Sequence, residues 1–303
     1  MRVVVITAIT GRRDRLKDRQ NVEGADFVAF ADRAYRSSTW DVRPAASLFR
    51  DPVRNAKIHK VLPHLYFPDY DYSLWIDGSV ELVDPAPLLV ERYLGDRDLV
   101  FGRHPVHNSV EDELTACYRE VFDDPALIQA QESSISARDA TLGAPLAGVI
   151  LRRHCPSVTR FNDAWWALIC RWSRRDQLSV LDAATGAGVR WGYVPRQRAL
   201  TNDPIHELFG SPHFRWYPHG HEVPPEDDVP LFEPHDAAPP VWWHERLAFV
   251  EAVSGQREAH VFSLLETVTT LARRAEAAEQ RIQVLEAELA SQALPEPGAS
   301  VGG

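Results

Sequence analysis

Asp77 ends an apolar run and precedes a glycine and a hydroxyl, in S-L-W-I-D-G-S-V-E-L over residues 73–82. A carboxylate and a hydroxyl two residues apart can hold a divalent cation against a phosphorylated ligand. A second acid in place of Ser79 would make a firmer site, and a plain strand-to-turn transition accounts for the same residues. Arg54 and Lys57 lie three apart, with Arg50 a turn before them. On a helix they share a face, which suits either phosphate or solvent. Arg103 and His104 are followed by His107, Glu111 and Glu113. A histidine beside carboxylates can act as acid, base or ligand. Asp176 follows Arg174 and Arg175 and precedes Gln177. Two neighbouring arginines keep a carboxyl ionised. That suits hydrogen bonding or electrostatic work on a sugar better than proton donation. The competing role for Asp176 is to cap a helix over 177–181. His206, His213, His219 and His221 come late and could complete a metal site begun by an earlier acid. Their spacing singles none of them out.

The elements that must position these residues alternate. Val3–Ile9 is a β-branched run of the kind found in buried parallel strands. Asp26–Phe30, Tyr72–Ile76, Asp98–Gly102, Ala147–Leu151 and Arg190–Val194 read as further strands. Asp51-Pro52 is an N-cap followed by a proline at the first helical position. The helix it opens carries Ile58, Val61, Leu62 and Leu65 on one face, and Pro63 ends or kinks it. Asp84-Pro85 opens another helix that Gly95 closes. Ser109–Val121 and Arg160–Trp172 complete the helical set. This alternation predicts an α/β domain with a mainly parallel sheet. Ligands of such sheets bind beyond the carboxyl ends of the strands. Thr7–Thr10 and Asp77–Ser79 both sit at such ends, which places them in one crevice.

The chain has 303 residues, and 45% hydrophobic with 25% charged residues is globular composition. The net charge of −10 disfavours nonspecific nucleic-acid binding. No apolar run approaches the ~20 residues that a membrane span needs, and no small-residue cleavage site follows Ile9 to make a signal peptide of it. Cys117, Cys155 and Cys170 are odd in number and lack CxxC spacing, which suggests a reducing, cytoplasmic setting. Only Lys17, Lys57 and Lys60 are lysines, so their placement carries weight that arginine's does not.

Beyond the domain the character changes. Glu222–Pro240 holds six acids, six prolines and no Lys or Arg, and reads either as an extended closing segment or as low-complexity disorder. A heptad follows. Val261, Val268, Ala275, Ile282 and Leu289 take the a positions, and Leu264, Leu271, Ala278 and Leu285 the d positions. Arg274 with Glu279, and Arg281 with Glu286, supply g–e pairs of a parallel coiled coil. A single amphipathic helix lying on the domain is the alternative. The expected layout is a domain over 1–235, a linker or short helix over 236–255, a coiled-coil helix over 256–291 and a disordered tail over 292–303. Residues 261–289 would make the protein a homo-oligomer.

Taken together, several segments resemble a known family. They are V-V-I-T-A-I at 4–9, F-V-A-F-A-D at 27–32, and K-I-H-K-V-L-P-H-L-Y-F-P-D-Y-D-Y-S-L-W-I-D-G-S at 57–79. F-G-R-H-P at 101–105, E-D-E-L-T-A-C at 111–117, G-V-I-L-R-R-H at 148–154 and S-R-R-D-Q-L-S at 173–179 follow in order. The chain resembles the glycosyltransferase-like domain first catalogued as a domain of unknown function, with plant and bacterial members. The resemblance covers about residues 3–205. It implies a GT-A-like, Rossmann-type, mainly parallel sheet with flanking helices, and transfer of a sugar from a nucleotide-sugar donor to a glycan or other acceptor. In that scheme Thr7, Ala8 and Asp32 line the base and ribose, and Arg54 and Lys57 face the diphosphate. Asp77 and Ser79 stand where related enzymes keep metal-binding acids, which implies Mn²⁺ or Mg²⁺. Arg103, His104 and Gly148 line the sugar and acceptor side. Asp176 contacts the donor sugar or acts at the reacting centre. Arg175, Gln177 and His104 complete the set, Arg175 and His104 as catalytic residues and Gln177 as a donor contact. The family has also been linked to ceramide hydrolysis, for which the sequence shows no nucleophile motif or histidine-rich metal cluster. A noncatalytic nucleotide-sugar-binding or scaffold role is the other alternative.

Overall fold

The computed structural model describes residues 1–11, 14–194 and 211–217. The chain divides into two units, Met1–Ser254 and Gly255–Gly303, and every described residue lies in the first. The expected linker, coiled-coil helix and tail therefore lie outside the described residues, as does the whole of the acidic, proline-rich stretch.

Among the described residues the central sheet has seven strands: β1 (Val3–Ile9), β2 (Asp26–Ala31), β3 (Asp41–Pro44), β4 (Tyr72–Ile76), β6 (Leu99–Arg103), β7 (Pro145–Arg153) and β8 (Trp191–Tyr193). Their order is β3-β2-β1-β4-β7-β6-β8. All run parallel except β7, which is antiparallel to both β4 and β6. A two-stranded sheet pairs β5 (Val80–Leu82) with β9 (Phe214–Trp216). The mainly parallel α/β sheet expected from the alternation is present. The run read as Ala147–Leu151 is the one long antiparallel strand, inserted between parallel neighbours.

Both faces of the sheet are covered, which is why β1, β2 and β4 read as continuous apolar runs. On one face lie α1 (Pro52–Val61), α2 (Pro63–Tyr66), α6 (Pro156–Arg171) and α7 (Val180–Ala187). Ile58, Val61, Phe161, Trp165 and Leu181 pack there against Val4, Ile6, Trp75 and Ile150. The other face carries α3 (Ala86–Leu89), the π-helical turn Val90–Leu94 and the β5/β9 pair, packed on Val3, Val5, Leu74 and Leu151. A smaller cluster joins α4 (Val110–Glu120) and α5 (Pro125–Glu132) to Leu178.

The helix starts follow their sequence signals. The Asp51 carboxylate accepts from the Val53 N–H at 3.0 Å, ahead of Pro52. Leu62 ends α1 before Pro63. Ser109 caps α4. Asp176 caps nothing: it opens a 3₁₀ turn, Asp176–Leu178, and α7 begins only at Val180. Its carboxylate is therefore available for another purpose.

Candidate functional site

Four side chains meet at the carboxyl end of β4. Period 2 along the strand puts Trp75 and Asp77 on one side, and the Trp75 indole N–H donates to Asp77 Oδ1 at 2.7 Å. The turn after β4 is held by the Asp77 N–H donating to the Gly148 carbonyl at 2.8 Å and by the Val80 N–H donating to the Asp77 carbonyl at 2.9 Å. From α1, which packs over β1, Lys57 and Lys60 project three residues apart on one face. Both ammonium groups reach Asp176 Oδ2, at 2.6 and 2.7 Å, and Lys60 also lies 3.4 Å from Asp77 Oδ1. The Asp176 side chain is 2% exposed, Lys60 5%, Lys57 14% and Asp77 31%. Asp77 is thus the carboxylate that a ligand can reach, and Asp176 lies beneath the lysines.

The electrostatics follow from that burial. Desolvation alone would raise the Asp176 carboxyl, but the two ammonium groups outweigh it and hold the carboxyl far below the usual carboxylate range. Asp176 is therefore an anion at every physiological pH and no proton donor. Burial pulls Lys57 down to about 8, despite the attraction of Asp176. The Trp165 indole fixes the turn that carries Asp176 by donating to its backbone carbonyl at 3.1 Å.

Gly148 leaves room where β7 runs beside β4. A Cβ there would lie 3.0 Å from Asp77 Oδ2 and 3.0 Å from the Trp216 ring. Behind Asp77, a Cβ at Gly78 would meet the Ile9 side chain at 2.3 Å. The glycines of W-I-D-G-S and of the β7 run therefore both serve the close approach of strand ends around Asp77.

A second network borders the first through the neighbours of Asp176. Arg175 Nε donates to Glu113 Oε1 at 2.5 Å, and Gln177 Nε2 reaches Glu113 Oε2 and the Pro145 carbonyl, each at 3.3 Å. The His107 ring nitrogen Nδ1 lies 2.7 Å from Glu113 Oε2. His104 stacks on His107 with centroids 4.0 Å apart, and its Nδ1 accepts the His107 backbone N–H at 2.8 Å. Burial would raise the Glu113 carboxyl, but Arg175 and His107 overcome this and lower it.

The other expected site residues are placed differently. Thr7 is buried in β1, Ala8 is half-buried, and Asp32 is exposed at the end of β2, where it accepts the Gly11 N–H at 2.7 Å and pairs with Arg33. These three line the ends of adjacent strands. Arg54 is not with the lysines. Its guanidinium is 3% exposed and donates to the carbonyls of Ile169 and Trp172 at the end of α6, with Asp51 and Asp123 nearby. Arg54 and Lys57, expected on one diphosphate face, do not converge: Lys60 joins Lys57 at Asp176, and Arg54 closes the C-terminus of α6. Arg103 is exposed at the end of β6, its guanidinium 5.7 Å from the Tyr193 ring centroid. His213 is buried between Asp84 and the Tyr93 hydroxyl, 2.5 and 2.6 Å away, and pins β9. The remaining late histidines lie outside the described residues.

The donor set fits a divalent cation poorly. At Asp77, Oδ1 already accepts an indole N–H and faces an ammonium group, and Ser79 is 2% exposed. One Asp77 oxygen remains, with the buried Asp14 carboxylate behind Gly78, whereas Mg²⁺ and Mn²⁺ take about six ligands. His104, His107 and Glu113 bring ligand atoms within 4.8 Å of one another. There, however, His104 Nδ1 is an acceptor for backbone N–H and Glu113 is paired with Arg175. Asp77 and Ser79, expected as metal ligands, therefore offer few open donor atoms to a cation.

The residues of the cluster, Lys57, Lys60, Asp77, Gly148 and Asp176, all fall within a stretch of known kinship. The family model described as TOD1/MUCI70, glycosyltransferase-like domain, matches residues 28–185. The chain is 30% identical over 209 residues to the probable hexosyltransferase MUCI70 of Arabidopsis thaliana, covering 58% of this chain and 36% of that one. It is 26% identical over 161 residues to the alkaline ceramidase TOD1 of the same plant, covering 48% and 35%. It spans about a third of the length of these curated relatives. Among solved structures, the galactosyltransferase LgtC in complex with donor and acceptor sugar analogs aligns at a TM-score of 0.40 and 12% identity, over 71% of this chain and 86% of that one. The family match takes in more than half of the sequence, and on it the chain belongs to the TOD1/MUCI70 glycosyltransferase-like domain family.

Proposed function

We propose that the protein is a glycosyltransferase of GT-A-like organisation that moves a hexosyl group from a nucleotide-sugar donor to an acceptor hydroxyl. The convergence of Lys57, Lys60, Asp77 and Asp176 at the end of β4 carries this reading. It lies outside the carboxyl ends of parallel strands, beside β1, where strand order reverses. In the transfer, the bond from the sugar's anomeric carbon to the diphosphate oxygen breaks, a bond to the acceptor oxygen forms, and the acceptor hydroxyl's proton passes to solvent. Negative charge grows on the departing nucleoside diphosphate, and preorganised cations aimed at it lower the barrier. The base and ribose lie over Thr7, Ala8 and Asp32, and the diphosphate faces the two lysines. Asp176 positions the lysines. Asp77, the reachable carboxylate, faces the sugar or the acceptor. Arg175, Gln177 and His104 shape the far wall through Glu113. The relative named a hexosyltransferase supports the hexosyl assignment. Three free cysteines support a reducing, cytoplasmic setting.

Calorimetry of the full chain against UDP-, GDP- and ADP-hexoses tests the reading, with release of free nucleoside diphosphate as the activity readout. Binding of one donor with turnover supports it. A folded protein that binds none of them sinks it. The relative named an alkaline ceramidase motivates a second reading, amide hydrolysis. Release of fatty acid from ceramide, abolished by Asp77→Asn, would establish that reading instead.

A further inference from the structure

We propose that the site neutralises the donor's diphosphate with lysine rather than with a divalent ion, Lys60 standing in the metal's place and Lys57 beside it. This deepens the proposed function and rests on it.

Asp77 is already engaged. Its Oδ1 accepts the Trp75 N–H at 2.7 Å and has the Lys60 ammonium 3.4 Å away. A metal ion bound at that carboxylate would sit within a few ångströms of the ammonium group. Like charges so placed repel strongly at the edge of a low-dielectric interior, and a divalent ion doubles the effect. The second ligands on offer, Ser79 and the Asp14 carboxylate behind Gly78, are both buried. The nearby His104, His107 and Glu113 set is blocked by the Arg175 guanidinium on Glu113.

The lysines are arranged for the task. Two ammonium groups share one Asp176 oxygen, so the buried triad carries one unmatched positive charge. Asp176 is fixed by its turn and by 2% exposure, so it holds both lysines in place whether or not donor is bound. The long, 3.4 Å contact from Lys60 to the half-exposed Asp77 is the weak member of the set. A diphosphate oxygen arriving at the strand end takes over as the acceptor for Lys60. Asp77 is then freed toward the sugar. Arg54, the other cation of the α1 face, cannot share this work because its guanidinium holds the end of α6.

The test titrates UDP, GDP and ADP, and their hexose esters, into the full chain in EDTA and again with Mn²⁺ added. The expected result is the same affinity in both, with Lys60→Met weakening the best ligand about tenfold or more and Lys60→Arg keeping it within a few-fold. Thermal melts establish that each variant is folded. If Lys60→Met fails to fold, the EDTA and Mn²⁺ arms on the wild type decide. Binding that appears only with Mn²⁺ overturns the inference and leaves the glycosyltransferase reading intact. Full affinity in a folded Lys60→Met variant overturns it too. Binding of no ligand under either condition overturns that reading and this inference together.

Discussion

At the residue scale, Asp77 and Asp176 divide the work by exposure. Asp77→Asn keeps an oxygen that can accept the Trp75 N–H, so melting should change little while turnover falls about a hundredfold or more. Unchanged turnover in a folded variant would remove Asp77 from the reaction. Lys57 sets the pH response. Its ammonium, pulled down to about 8 by burial, is fully charged below that pH and loses its proton as pH rises through it. Affinity for an anionic donor should therefore decline between pH 7 and 9, read by calorimetry. A flat profile would show that Lys57 does not face the ligand. Arg152 offers a separate check. It is fully buried on β7, 5.9 Å over the Trp165 ring, with no hydrogen-bond partner for its guanidinium among the described residues. Burial alone lowers it to about 9. Arg152→Met should leave stability unchanged or raise it by about 1–4 kcal/mol in urea melts. A clear loss would mean that the guanidinium finds a partner beyond the described residues. Of these residues, Asp77 and Asp176 were legible in the sequence as acids in polar blocks. The pairing of Lys57 with Lys60 rather than Arg54 was not, because all three fall on one helical face. Only the neighbouring α6 decides which of them turns inward. The rarity of lysine in the chain was the available signal.

At the element scale, β7 is the strand that shapes the site, because its antiparallel insertion brings Gly148 against Asp77. Gly148→Ala should press on the Asp77 carboxylate and the Trp216 ring. It should cost about 1–3 kcal/mol of stability and weaken donor binding, as measured by melts and calorimetry. No change in either would show that the two neighbours give way freely. The alternation of apolar runs predicted the sheet, yet it could not give β7 its direction, since strand direction is set by connection geometry and not by periodicity. Short and half-exposed β3 carried too little apolar pattern to be read. The pairing of β5 with β9 joins residues more than 130 apart, a contact no local pattern encodes. The sequence reading missed α5, although Asp124-Pro125 repeats the cap signal that revealed α1.

At the scale of the whole molecule, the site lies in a unit that folds around its own two-faced core, and the heptad segment is a question of assembly. Truncation after Glu251 should convert an oligomer into a monomer by light scattering while nucleotide affinity stays the same. An unchanged mass would mean that residues 261–289 do not join chains. No described helix is long and apolar enough to cross a membrane. The central claim is that the diphosphate of a nucleotide sugar binds over Lys57 and Lys60 at the end of β4. A crystal structure with the tightest nucleoside diphosphate from the calorimetric panel tests it most directly. Phosphate oxygens should lie within hydrogen-bonding distance of both ammonium groups, with Asp176 still beneath them. A nucleotide bound elsewhere on the protein, with Lys60 still paired to Asp77, would contradict it.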